Sequence, residues 1–323
     1  MTLTDLDRAA LETTDDVKKV ERAAMRAARR SRRRAEEGDH SGLASARGGS
    51  KWFVLAGLIL FTIYSVGPAW WLIVSATKSK EQLYTTNGLW FADFRLFENL
   101  ASLFTYQDGV FGLWMWNSTV YALAGAIGQT IVALAAGYGL AMYQYRGKGI
   151  SMGFIIGSFL IPGALLTIPS YLLFVQVGLY DSAWAMILPA FFGSFSVYLA
   201  KVYAEGAMPP ELMEAARIDG AGEYRIFFSI GLRLLTTAGA TIFLLHFVAI
   251  WNAFFGPLVF LRSAERWPVM LGLYSWLQRG ADSTVDLTSL VITGSLVATI
   301  PMVLLMLAMQ RYWKAGVTMG SLK

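Results

Sequence analysis

The sequence predicts an all-α membrane protein of six transmembrane helices, with a short exposed helix–turn–helix between the fourth and fifth spans. Three observations carry this. Of 323 residues, 55% are hydrophobic and only 15% charged, against about 25% charged in an average soluble domain. The mean hydropathy is +0.48. The charges are also confined. Six windows longer than about 18 residues hold no Asp, Glu, Lys or Arg: 52–77, 109–145, 149–180, 182–200, 234–261 and 287–310. Each is long enough to cross about 30 Å of hydrocarbon, which takes roughly 20 helical residues. Buried helices of a soluble protein keep charges on a solvent face; these windows keep none.

The chain before the first window is a charged tail, 1–51. Its first 50 residues hold 11 basic and nine acidic side chains and no apolar run, so it is not a cleavable signal. Val17 to Glu37 can form a charged helix, with Asp15-Asp16 at its start and Arg29, Arg30 and Arg32 to Arg34 at its end. It reads as a solvated tail, or as a tether to anionic lipid headgroups. Orientation follows from Lys and Arg. With the N-terminus inside, segments 1–51, 146–148, 201–233 and 311–323 hold 21 of the 27 basic residues. The outer segments 78–108, Asp181 and 262–286 hold six, with eight acidic residues. Both termini are expected in the cytoplasm.

Within the windows, Pro162, Gly163 and Pro169 in the third and Pro189 in the fourth mark irregular helix, which membranes tolerate where it lines a cavity. His246 is the only titratable side chain of the fifth window with no carboxylate in any window to partner it. It reads as a hydrogen-bonded packing residue. There is no cysteine, which excludes disulfides, thiolate chemistry and Cys-ligated metals. His40 and His246, the only histidines, leave little for a transition-metal site.

The inner loop 201–233 is the most informative stretch. Pro209-Pro210 suits a helix start, where the missing N–H groups cost nothing. Glu211 and Glu214 favour the first turn. Leu212, Ala215, Ala216 and Asp219 fall at helical spacing, and Gly220 can end the helix in a left-handed turn. Glu223 to Arg233 can form a second helix with Ile226, Phe227 and Ile230 on one side. The small residues at the centre permit close approach of a partner surface.

Here the sequence resembles a known family. Glu214-Ala215-Ala216, three residues, Gly220, nine residues, then Ile230-x-Leu232 resembles the E-A-A-x(3)-G-x(9)-I-x-L-P signature of ABC importer membrane subunits. Arg233 stands where proline is usual. Arg217-Ile218-Asp219-Gly220-Ala221 and Trp251-Asn252-x-Phe254 followed by Pro257-Leu258 resemble sugar-importer permeases. The C-terminal Gln310-Arg311-Tyr312-x(3)-Gly316-x-Thr318-x-Gly320 and the Leu96-Phe97-Glu98-Asn99 region resemble the maltose-type G subunit of the binding-protein-dependent sugar family. The resemblance covers roughly residues 52–323.

The resemblance implies a permease subunit in a bacterial or archaeal cytoplasmic membrane that is not itself an enzyme. No G-x-x-x-x-G-K-[ST] phosphate loop is present. No cofactor is expected in this chain; ATP and Mg belong to two partner ATPase subunits. The other implied partners are a second, F-type permease, an extracytoplasmic solute-binding protein and the lipid bilayer, with no nucleic acid. Coupling to the ATPase is expected at Leu212, Glu214, Ala215, Ala216, Asp219, Gly220 and Ile230, with the tail Lys314 to Lys323 reaching toward the same subunits. Pyranose rings stack on aromatics while their hydroxyls need polar partners. Tyr171, Phe247, Trp251, Asn252 and Phe255 are therefore candidates for a substrate path. Trp267, Tyr274 and Trp276 are candidates for contact with the binding protein, or are interfacial belt residues.

The expected cargo is an oligo- or disaccharide. Glycerol 3-phosphate or glycerophosphodiesters are the alternative within the class. An ion-coupled secondary transporter would place ionisable residues inside its spans, and a membrane enzyme would need a nucleophile–base pair or metal cluster. Neither pattern occurs in the windows.

Overall fold

Prolines, glycines and the edges of the charge-free windows set where the helices begin and stop. The computed structural model describes residues 48–282 and 286–320, and among them every regular element is helical. Two compact units divide at Ala69. Of the first, 48–69 is described: the start of α1 (Gly48–Ala76), with Trp52, Phe53, Phe61 and Tyr64 exposed. An apolar helix with no polar face suits lipid. The charged tail read from the sequence falls on residues 1–47, outside the described residues, apart from its last four.

The second unit begins with the end of α1, then α2 (Lys80–Thr85) and α3 (Leu96–Thr105). Its central element is α4 (Val110–Met142). After it come α5 (Lys148–Phe159), α6 (Gly163–Gln176), α7 (Ala183–Ala190) and α8 (Ser194–Ala207). The loop read as a helix–turn–helix holds α9 (Pro210–Ile218), α10 (Glu223–Ile226), a π-helical turn at Phe227–Gly231 and α11 (Leu232–Leu234). The unit closes with α12 (Thr236–Trp251), α13 (Phe255–Phe260), α14 (Val269–Asp282) and α15 (Thr288–Gly320).

Among the described residues, four helices or helix runs are long and apolar enough to cross a membrane, at 51–76, 96–142, 183–207 and 288–310. Two more candidates are sharply bent helix pairs: α5 with α6 at 97°, inside the third window, and 223–234 with α12 at 72°, whose first part lies in the inner loop before the fifth window. Counting each pair as one span gives six. The first bend has a plain cause. Pro162 lacks an N–H and caps α6 in an extended conformation, so α5 cannot run on. The second bend needs no proline. Leu235 leaves helical geometry at φ −88°, ψ 8°, two residues after Arg233. The fifth window is also interrupted, because α12 stops at Trp251 and α13 starts only at Phe255. The last helix runs beyond its window to Gly320, so the expected C-terminal tail is helical that far; 321–323 lie outside the described residues.

α8 and α12 lie along α4, and α15 packs on α12 and α14. Close approach needs small residues in a membrane, where association rests on packing rather than water exclusion. A Cβ at Gly137 of α4 would sit 2.5 Å from Ala200 Cβ and 2.7 Å from the Lys201 nitrogen of α8. The α7–α8 break exposes backbone polar groups. Buried Gln129 of α4 donates its amide to the Gly193 carbonyl there at 3.0 Å. His246 of α12 pairs through Nε2 with Ser196 Oγ at 2.7 Å, the packing role read from the sequence.

Two large apolar cores result among the described residues, beside two smaller clusters. One gathers Phe111, Trp114, Phe247, Trp251, Val269 and Trp276. The other gathers Leu134, Tyr138, Ala204, Met208, Ile226 and Leu235, and it includes Met213 and Ala216 of α9.

Candidate functional site

The α9 loop starts as its residues dictate. Pro209 is the N-cap and Pro210 the first helical residue, with Glu211 in the first turn. The helix ends in a Schellman turn. Gly220 takes φ +79°; its N–H donates to Arg217 O, and the Ala221 N–H to Ala216 O, both at 3.0 Å. This is the left-handed stop the glycine implied.

The expected coupling residues divide into two sets. Leu212, Glu214, Ala215, Asp219 and Gly220 are exposed, whereas Ala216 is buried and Ile230 packs against the same core from the π-helical turn. Thus Met213 and Ala216 root α9 in the second core, and an exposed face of Leu212, Ala215 and Asp219 remains. Sequence reasoning missed Ile218, Tyr224 and Phe228, all strongly exposed beside this face along the chain. Their signal was large apolar side chains in an otherwise polar loop.

Across the Gly220 turn, Arg217 Nε donates to Glu223 Oε1 at 2.7 Å and Nη2 to Oε2 at 3.4 Å. The Tyr143 hydroxyl, just past the end of α4, donates to Glu223 Oε2 at 2.6 Å. The Arg217 hydrogen bond, then that of Tyr143, holds the Glu223 carboxyl below its ordinary pKa. Beside this cluster a cleft of about 510 Å³ is lined by Tyr138, Tyr143, Tyr224, Phe227 and Phe228 among others.

The substrate-path candidates do not converge. Phe247 and Trp251 stack at 5.6 Å and 18° and are buried in the first core. Tyr171 packs edge-on to Tyr180 at 5.4 Å, against the small cluster of Phe174 and Phe260. Phe255 is 49% exposed. Only Trp251 and Asn252 share a cavity, of about 570 Å³, with Phe254, Tyr274, Ser295 and Thr299. Asn252 caps α12 and donates Nδ2 to Val248 O at 2.8 Å. Ser295 and Thr299 spend their hydroxyl protons on Val291 O and Ser295 O, leaving oxygen lone pairs. Tyr274 packs edge-on to Phe254 at 4.6 Å and accepts from Gln278. None of the lining residues is charged.

The binding-protein candidates also separate. Tyr274 is 39% exposed, but Trp276 is fully buried, packed on Trp114 at 4.8 Å and donating Nε1 to Gln107 Oε1. Its indole offers no surface to a partner. Trp267 is half-buried against Trp114. Val269, Leu273 and Trp276 are buried at spacings of four and three on α14, a helical stripe that marks Trp276 as core.

Among the described residues, apolar spans, broken helices and a short helix rooted in their core define a polytopic membrane protein. Residues 129–318 match the sequence profile of the binding-protein-dependent transport system inner membrane component. The chain belongs to that family. It is 31% identical over 275 residues to the arabinooligosaccharides transport system permease protein AraQ of Halalkalibacterium halodurans, covering 84% of this chain and 96% of that one. It is 31% identical over 266 residues to the lactose transport system permease protein LacG of Rhizobium radiobacter, covering 82% and 94%. Its fold is similar to a chain of a bacterial ABC transporter involved in the import of the acidic polysaccharide alginate, with TM-score 0.72, 20% identity, and coverage of 83% and 98%.

Proposed function

We propose that this chain is a permease subunit of an ATP-driven importer of uncharged carbohydrates, of the maltose-type G class, with both termini in the cytoplasm. It forms the translocation path with a second, F-type permease. A solute-binding protein delivers cargo from outside. Two ATPase subunits bind ATP and Mg and do the hydrolysis. One of them seats on α9, where Leu212, Ala215 and Asp219 face outward and the left-handed Gly220 lets the backbone come close. Glu214 is the charged group available to a basic partner.

The observation that carries this reading is the division of α9 itself. Met213 and Ala216 are buried among the membrane helices while the opposite face is bare. Leu212 and Ile218, 41% and 86% exposed, add apolar side chains that a partner surface could cover. The uncharged cavity at Trp251, Asn252 and Tyr274 supports a neutral sugar over glycerol 3-phosphate. An anion there would lose its hydration with no cation to replace it.

Gly220→Trp tests the coupling. It puts bulk and a Cβ at a positive-φ position on the docking face. In the whole importer, ATPase binding and transport fall together while the permease pair still assembles. Normal transport in that variant overturns the reading.

A further inference from the structure

We propose that Tyr143, Glu223 and Arg217 form a pin that makes α9 and the central helix α4 move as one body, and that these three are positioning residues for energy coupling. The inference rests on the reading that α9 receives force from an ATPase, and adds where that force goes.

Apart from the polar cluster, α9 is tied to the rest of the chain by packing and by the backbone at each of its two ends. The packing is apolar: Met213 and Ala216 in the second core. Packing of that kind resists separation, and each of its dispersion contacts carries little directionality. The backbone ties are Met208-Pro209, which leads in from α8, and the turn of 219–222, which turns on a left-handed glycine. None of these ties α9 to α4 by a directional side-chain hydrogen bond.

The pin does. The Arg217 guanidinium meets both Glu223 oxygens, at 2.7 and 3.4 Å, and such a fork is directional. Glu223 Oε2 is shared with the Tyr143 hydroxyl at 2.6 Å. Tyr143 follows α4 directly, and its N–H donates to Gly139 O, closing the last turn. Its ring packs edge-on to Tyr138 at 5.9 Å, and Tyr138 packs on Phe227 at 4.9 Å. A continuous chain of contacts therefore runs from α9 through Glu223 into α4, along which α8 and α12 lie.

Stability is not what these groups supply. Arg217 and Glu223 are 41% and 44% exposed, and ion pairs at such sites contribute about 0–1 kcal/mol. Orientation is what they supply.

The test uses the complete importer in proteoliposomes, with arabinose oligomers and lactose as cargo probes, and reads substrate moved per ATP hydrolysed. Tyr143→Phe, Glu223→Gln and Arg217→Lys are expected to lower that ratio about 3- to 10-fold. The ATPase subunits should still co-purify at wild-type stoichiometry, and the melting temperature should stay unchanged. The double variant Arg217→Glu with Glu223→Arg restores the ion pair across the turn but not the Tyr143–carboxylate bond, and should recover only part of the loss that each single change causes. Wild-type coupling in Glu223→Gln and Tyr143→Phe overturns the pin. So does loss of ATPase co-purification in those variants, which would make them docking residues. If no ATPase co-purifies with the unmodified chain, the underlying reading of α9 fails instead, and the control separates the two.

Discussion

Asp181 Oδ2 accepts the Ser263 hydroxyl at 2.6 Å, and its Oδ1 accepts the Ser263 N–H at 3.0 Å. The same carboxylate takes the Arg262 N–H at 2.9 Å and lies 3.3 Å from Arg266 Nη1. One side chain thus joins the α6–α7 turn to the segment before α14, and holds a positive φ of 54° to do so. Burial pushes its carboxyl pKa up, but the hydrogen bonds from Ser263 and Arg262, with the Arg266 charge, outweigh that and hold it below its ordinary value.

The sign of the pH effect follows. The folded state binds this proton less tightly than the unfolded state. Its stabilisation is therefore fully present above about pH 4, the ordinary carboxylate value, and is lost as pH falls through the folded value. Asp181→Ala is expected to cost about 1–3 kcal/mol at neutral pH. In detergent melts the gap between wild type and variant should narrow on acidification. A gap that widens as pH falls contradicts the assignment.

Trp276 gives a second prediction. It is fully buried and its neighbours Phe111 and Trp114 are as well. Trp276→Ala should destabilise the chain by about 3–5 kcal/mol, seen as lost folded yield. A variant that melts normally and fails only to engage a binding protein would return Trp276 to the surface role first expected of it.

Gly137 gives a third. A side chain there meets Ala200 and the Lys201 backbone, and backbone cannot step aside as a flexible side chain does. Gly137→Val should cost about 1–3 kcal/mol through forced separation of α4 and α8. Gly139, two residues on, has open space around it, so Gly139→Val is the control and should melt close to wild type.

These residues also explain how much the sequence could tell. Gly220 was readable because a left-handed helix stop is a local property of one residue and its neighbours. Pro162 was readable for the same reason. The bend at Leu235 was not, since no proline or glycine stands at it. Trp276 was misplaced because a tryptophan near a membrane edge suits a belt as well as a core; the buried stripe it shares with Val269 and Leu273 was the available signal. The Arg217–Glu223–Tyr143 cluster lay beyond reach. Its members are six and eighty residues apart, and no helical or strand period connects them. The substrate-path candidates were chosen by chemistry, and only Trp251 and Asn252 share a cavity, because stacking of Phe247 on Trp251 fills the core first.

The central claim is that an ATPase subunit seats on the exposed face of α9. The chain has no native cysteine, so single probes need no background removal. Ala215→Cys, on the exposed face, and Ala204→Cys, in the buried core, would be paired with single-cysteine ATPase subunits in membranes and treated with a short bifunctional thiol reagent. The account predicts an adduct from position 215 that depends on nucleotide, and none from position 204. No adduct from 215 with any ATPase position, in an importer that still hydrolyses ATP and transports, would contradict it.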